Sequence, residues 1–337
     1  MRFESPGAFT AALAALPGPD LTAREAASAR QAQLTKPAGS LGRLEEIALF
    51  MAGWQGKERP ALDKVRAVIF AGNHGVTRHG VSAFPPDVTI QMVANFEAGG
   101  AAINQLAREA GMELRVVALD LHRPTADFTE APAMTADECL DALNRGAAMV
   151  DPDLDLLTVG EMGIGNSTAA AALCARSLGG AVQDWVGPGT GLDAAGVTNK
   201  VAVVEQALAT HADAPNNAFE TLRRLGGREI VAIAGAVLAA RQARMPVMLD
   251  GFIACAAIAP LVADQPSLAE HCLAGHCSAE PGHRRLLHQF SLIPLLQLGL
   301  RLGEGSGAAV AVPIVRAALA AHNGMATFAE ASVSGKL

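Results

Sequence analysis

Five short apolar runs, each close to glycine or an acidic residue at its end, limit what this chain can fold into. VRAVIFAGNHG starts at Val65, ELRVVALD at Glu113 and DLLTVGE at Asp155; PVMLDG at Pro246 and LAEHCLAGH at Leu268 are two further runs of the kind. Their apolarity is continuous, as a strand covered on both faces requires. Longer alanine-rich helical stretches separate most of them. Strands alternating with helices imply crossover connections and a parallel sheet with helices on both sides. The expected fold is therefore α/β and Rossmann-like. In such sheets ligands gather beyond the carboxyl ends of the strands, so the loops after these runs are where chemistry is to be sought.

Both ends of the chain follow helical periodicity instead. Thr22 and Glu25 have capping-box spacing ahead of an alanine-rich run. After the break TKPAGSLGR, the residues Leu44, Ile47, Ala48, Met51 and Trp54 recur at helical intervals. Near the other end, Leu286, Leu287, Phe290, Ile293 and Leu296 make a second stripe, with Pro294 and Pro313 expected to kink or delimit the helices. The expected organisation is an α/β domain over residues 60–282 that carries the nucleotide site. Residues 1–59 and 283–337 would pair as a small helical domain.

Charge and composition remove several classes of function. The net charge is −7 and no block of Lys or Arg occurs, which argues against a nucleic-acid partner. Apolar stretches are interrupted before they reach membrane-spanning length, and the N-terminus lacks a signal-peptide pattern, so no membrane association is expected. Five cysteines form no paired framework and suit reduced thiols in a cytoplasm.

Three glycine loops stand out, two of them after expected strands. In EMGIGNST, from Glu161, Gly163 and Gly165 permit a tight turn, and Asn166, Ser167 and Thr168 open a helix. The unpaired N–H groups and dipole of a helix start suit a phosphate, although a plain helix cap explains the same residues. WVGPGTGLDAAGVTNK sets Gly189 ahead of Lys200, which is either a point charge for phosphate or a solvated surface lysine. Gly251, after VMLD, is either a ligand approach or an ordinary turn glycine.

Other residues bear on substrate and catalysis. AGNHGVTRHGVSAFPPDVTIQM offers apolar walls in Phe84 and Met92 and a hydrogen-bonding group in Gln91, as a flat heteroaromatic substrate needs. His74, in the same stretch, reads as a structural loop histidine before it reads as a base. HCLAGHCSAEPGHRRLLH contains His271, Cys272, His276, Cys277, His283 and His288, but at spacings unlike the usual zinc templates, so no metal is expected. Ser278 there is a candidate phosphate contact. Glu304, between glycines in LGEGSG, is open to two readings: a helix-start residue favoured by the dipole, or a partly buried carboxylate acting as a base. A nicotinamide-dependent oxidoreductase is the main rival class. It rests on GIG and Asp184 and lacks the third fingerprint glycine, which should stand at Thr168. A non-catalytic nucleotide-binding protein is a further rival.

Taken in order, TKPAGSLGRLE, AGNHGV, GVSAFPPDVTIQM, GEMGIGNST, VGPGTGLD, DGFI and LGEGSGAA resemble the nicotinate-nucleotide–dimethylbenzimidazole phosphoribosyltransferase family, over about residues 35 to 310. The resemblance implies transfer of phosphoribose from nicotinate mononucleotide to a benzimidazole, for the lower ligand of cobalamin, by a homodimer of two-domain subunits. It implies Glu304 as catalytic base and Glu161 as a second active-site carboxylate. It places Gly163, Gly189, Lys200, Gly251 and Ser278 at phosphate and ribose, and Gln91 with its loop, including Ala83 and Phe84, at the benzimidazole. Ala83 stands where some members place a polar residue. No cofactor is implied: a pyridinium is already a good leaving group, and the paired-acid run that serves pyrophosphate-donor transferases is missing.

Overall fold

A computed structural model describes residues 1–334. Its one sheet, among the described residues, has five parallel strands, β1 (Val65–Ala71), β2 (Glu113–Ala118), β3 (Leu156–Met162), β4 (Val247–Leu249) and β5 (Cys272–Ala274), in the order β2-β1-β3-β4-β5. All five lie in the apolar runs picked out above. β1, β3, β4 and β5 are almost wholly buried, whereas edge strand β2 is only half covered.

Side chains alternate between two cores, as strand geometry dictates. Val68, Phe70, Leu157 and Val159 join one core with helices Asn166–Leu178 and Arg228–Gln242. Ala67, Ile69, Leu156 and Met248 point the other way, into a core shared with Ile47, Met51, Ile103 and Val312. The second core is thus built largely by helices Arg43–Gln55, Ala102–Glu109 and Ser306–Gly324.

Helices from the two termini meet. Arg30 Nε donates to His322 O at 3.0 Å, and its Nη2 to Asn323 O and Met325 O at 3.2 and 3.0 Å. A guanidinium on those last carbonyls satisfies groups that have no partner within the helix and complements the dipole.

Local expectations failed at three places. Helix Leu21–Gln33 is capped by Asp20, whose Oδ1 accepts the Ala23 N–H at 2.9 Å, so Thr22 lies inside the helix. Pro313 does not end a helix; it sits within Ser306–Gly324 on the exposed side. The stripe through Ile293 and Leu296 is not helical, because helix Pro281–Gln289 stops before Ser291, which has φ 54°. The following segment runs beside β5 instead: Leu295 N donates to Ala274 O at 3.0 Å and Leu296 N to Gly275 O at 3.1 Å.

Helices Ala136–Ala147 and Arg228–Gln242 touch backbone to backbone through reciprocal glycines. A Cβ on Gly146 would overlap the Ala232 carbonyl, and one on Gly235 the Leu143 carbonyl. Gly235→Ala is therefore expected to destabilise the protein by about 1–3 kcal/mol, as overpacking does. Urea unfolding checks this, and an unchanged midpoint would contradict it.

Candidate active site

Winding reverses between β1 and β3, where a crevice is expected beyond the strand ends. The register sets Phe70 beside Glu161 and Ala71 beside Met162 there. A cleft of about 680 Å³, open mouth included, is lined at this end by Glu161, Gly163, Gly189, Gly251, Ser278 and Gly303. That is the size range of small-molecule sites. Residues more than a hundred positions apart in the sequence are thus brought to one place.

Gly163 is required by close approach. A Cβ there would lie 2.7 Å from Gly72 O and 3.0 Å from Glu229 Oε1. The turn then enters helix Asn166–Leu178 through Gly165, which has φ 94° and no side chain to cap the first N–H groups. Asn166 and Ser167, in the first turn, line the cleft. Lys200 is fully buried rather than solvated; its Nζ donates to Ser167 Oγ at 2.8 Å and to Gly187 O at 3.2 Å. Burial lowers its pKa to about 8, against the pull of Glu280. A Cβ on Gly189 would sit 3.5 Å from that Nζ. The helix start, the Gly189 loop and a buried ammonium therefore converge, which is the arrangement an anion needs. Ser278, also in the lining, has its N–H and Oγ each 2.9 Å from His283 Nδ1, which fixes it there.

Carboxylates dominate the inner end. Glu161 is 7% exposed and its Oε2 accepts from Asn166 Nδ2. Burial raises its pKa to about 8, and Asp250, Glu229 and Glu304 push in the same direction. Glu304 is 5% exposed and does not itself line the cleft; it is buried one residue beyond Gly303. Gly303, Glu304 and Gly305 have φ of 81°, 61° and 74°. A left-handed glutamate costs about 1–3 kcal/mol, and such outliers cluster at functional sites. Glu304 Oε2 is buried without a hydrogen-bond partner. Burial raises its pKa, opposed by an N–H from Ile103. The two glutamates flank Gly303, whose Cβ, if present, would meet Glu161 Oε1 at 2.5 Å.

Ala83, Phe84 and Gln91 are exposed and stand outside the lining of this cleft. Their segment is tied to its rim at two points: Thr89 Oγ1 accepts the Ile164 N–H at 3.1 Å, and the Ser82 and Thr190 hydroxyls are 3.3 Å apart.

The rival features find other partners. Asp184 pairs with Arg285 at 2.6 Å on the surface and is not in the lining of the cleft. His271 bonds Leu268 O at 2.8 Å and Val237 O at 3.1 Å. No group of three metal-binding side chains occurs among the described residues. His74 is fully buried, 2.6 Å from Glu229 Oε1. No helix among them is long and apolar enough to cross a membrane.

Sequence reasoning weighed His276 only as a metal ligand and passed over Glu280 and Arg301 in the lining, and Asp250, 3.6 Å from His276. The signal for Asp250 was present, since it is the acid that ends a strand next to a glycine already singled out. Arg301 had only its nearness to LGEG.

An α/β sheet with a glycine-rich anion pocket and buried carboxylates at the switch point defines an enzyme-like nucleotide site. A phosphoribosyltransferase family model matches residues 16–333, and the chain belongs to that family. It is 68% identical over 336 residues to the nicotinate-nucleotide–dimethylbenzimidazole phosphoribosyltransferase of Novosphingobium aromaticivorans, covering 100% of this chain and 99% of that one. It is 58% identical to the enzyme of the same name from Ruegeria pomeroyi, covering 97% and 96%. The crystal structure of CobT from Thermus thermophilus superposes with a TM-score of 0.88 at 42% identity, covering 94% of this chain and 100% of that chain.

Proposed function

We propose that this protein transfers the phosphoribosyl group of nicotinate mononucleotide to 5,6-dimethylbenzimidazole or a related base, giving α-ribazole 5′-phosphate and nicotinate for the cobalamin nucleotide loop. The observation that carries this is one cleft that joins an anion pocket backed by Lys200 to the carboxylate of Glu161, with Glu304 buried just beyond Gly303 of its lining.

In this reading the phosphate and ribose lie against Gly163, Gly189, Gly251, Ser278 and Lys200. The benzimidazole enters from the side of Ala83, Phe84 and Gln91. Glu304 accepts the benzimidazole N–H proton while the other ring nitrogen attacks the anomeric carbon. The bond from that carbon to the pyridinium breaks, and its electron pair leaves with nicotinate as a neutral ring. Direct displacement inverts the centre, so a β-nucleotide yields an α-riboside. Positive charge grows on the ribose in the transition state, and in this reading the Glu161 carboxylate, in the cleft lining, stabilises it. Burial assists Glu304, because a raised pKa makes a carboxylate a better base near neutral pH.

The test is to incubate the protein with both substrates and follow nicotinate by chromatography. Release that depends on the benzimidazole supports the transfer; NADH consumption with carbonyl substrates, or binding without release, would support the rivals. Lys200→Ala should mainly raise the KM for the mononucleotide, by about tenfold or more, since a charge-assisted contact is worth about 1.5–3 kcal/mol. An unchanged KM would remove Lys200 from the phosphate site.

We also propose a cytoplasmic homodimer, with residues 1–59 and 283–337 acting as a small helical unit beside the 60–282 domain. Ile293, Leu298 and Leu302 support it as large apolar side chains left 63%, 59% and 57% exposed on a single chain. Light scattering after gel filtration would decide the oligomeric state.

A further inference from the structure

Asp250 follows β4 and is 1% exposed. Its Oδ2 accepts the Gly305 N–H at 3.1 Å, and its Oδ1 the Ala308 N–H at 2.9 Å. These donors belong to the start of helix Ser306–Gly324, whose own N-cap, Gly305, has no side chain to satisfy them. A carboxylate from another strand therefore caps this helix, and in doing so it ties down one end of the left-handed turn 303–305.

Such a turn has no regular hydrogen-bond ladder of its own, and its middle residue is held in a conformation that costs energy. Its neighbours must impose it. On the far side, Gly305 packs against Gly160 of β3, whose Cα lies 3.6 Å from the position a Gly305 Cβ would take. Asp250 supplies the polar half of that grip. His276, in the cleft lining, packs against Gly307 and has its Nε2 3.6 Å from Asp250 Oδ1.

We infer that Asp250 is the positioning residue for Glu304: by holding the Gly305 and Ala308 N–H groups it fixes the turn that aims the Glu304 carboxylate at the acceptor's N–H. This rests on the reading of Glu304 as the base. Asp250 itself touches neither substrate in this scheme and exchanges no proton. A plain helix cap would have the same hydrogen bonds, so the test must separate aim from stability.

Three variants of the full-length protein serve: D250A, which removes both acceptors, D250N, which keeps the shape but turns a donor toward one of the two N–H groups, and E304Q. Turnover is measured at saturating mononucleotide with a series of ring-substituted benzimidazoles of graded N–H acidity, and mononucleotide affinity by calorimetry. A misplacement of about 1 Å in a reacting group can cost about a hundredfold, so kcat should fall about tenfold to a hundredfold in D250A and somewhat less in D250N. Mononucleotide affinity should stay within about threefold, because the Asp250 carboxylate bonds the Gly305 and Ala308 N–H groups and not the Lys200 and Ser167 side of the phosphate pocket. The loss should be greatest for the least acidic acceptors, which depend most on a well-placed base. An equal loss for every acceptor would overturn the inference and leave Asp250 as a cap. So would wild-type turnover in D250N while E304Q is inactive. If E304Q keeps wild-type turnover, the reading of Glu304 fails and this inference fails with it. D250N covers the case in which D250A does not fold.

Discussion

Glu304→Gln is expected to lower kcat by about a hundredfold to ten-thousandfold, the usual worth of a general base. Affinity for nicotinate mononucleotide should hardly change, since the residue lies beyond Gly303 and apart from Lys200. The amide keeps the size of the side chain and removes only its ability to take a proton. The pH profile gives a second reading of the same residue. Burial raises the Glu304 pKa, and a base works only when ionised. Wild-type kcat should therefore rise with pH through that raised pKa, and the limb should vanish in the variant. Stopped assays at saturating substrates across pH 5 to 9 would check both. Near-wild-type turnover in E304Q would remove the assignment.

Glu161→Gln is expected to separate function from stability. The Glu161 pKa is raised to about 8, chiefly by burial. An unfolded glutamate titrates near 4.3. Below the unfolded value both states hold the proton and ionisation costs nothing. As pH rises toward the folded value, the unfolded chain ionises first and native stability falls; above about pH 8 both states are ionised and the loss is complete. The variant lacks this group, so it should outlast the wild type at pH 9 by on the order of a few kcal/mol, with little advantage at pH 4.5. Its turnover should nevertheless drop by about tenfold or more, because a carboxylate facing a developing cation is lost. Added stability with lost activity is the usual signature of a strained site. Thermal melts at the two pH values and a turnover assay test this. A variant less stable than wild type at pH 9 would contradict the charge argument. In the bound state, the cationic pyridinium ring should favour the ionised form of Glu161, which links substrate binding to proton release.

Much of the fold was legible because its strands are buried on both faces, which writes a continuous apolar run into the sequence. Even three-residue β4 and β5 carried that mark. Where periodicity alone was used, it misled. The leucines around Leu296 keep helical spacing, yet Pro294 lies there and the free edge of β5 takes the segment as an extended partner. Thr22 and Glu25 have capping-box spacing, but Asp20 two residues earlier does the capping.

The site divides in the same way. Gly163 and Gly251 were legible because glycine after a buried strand marks close backbone approach, and Gly189 because it stands in a glycine-rich loop; all three line the cleft. The burial of Lys200 was not legible, since helix Ala194–Thr210 gives no local sign that its Nζ points inward to Ser167. Asp250 was hidden for a similar reason: its partner Gly305 is 55 positions away. Glu304 stood as an even choice between helix-start residue and base on spacing alone. Its positive φ and its unpartnered buried oxygen are tertiary facts, and they move the balance toward chemistry.

The central claim is inverting transfer from a mononucleotide to a benzimidazole. Proton NMR of the purified protein with β-nicotinate mononucleotide and dimethylbenzimidazole tests it most directly. The account predicts nicotinate and a riboside phosphate in equal amounts, with the anomeric proton of the new nucleoside in the α configuration. A β-riboside, or nicotinate that appears at the same rate without the benzimidazole, would contradict it.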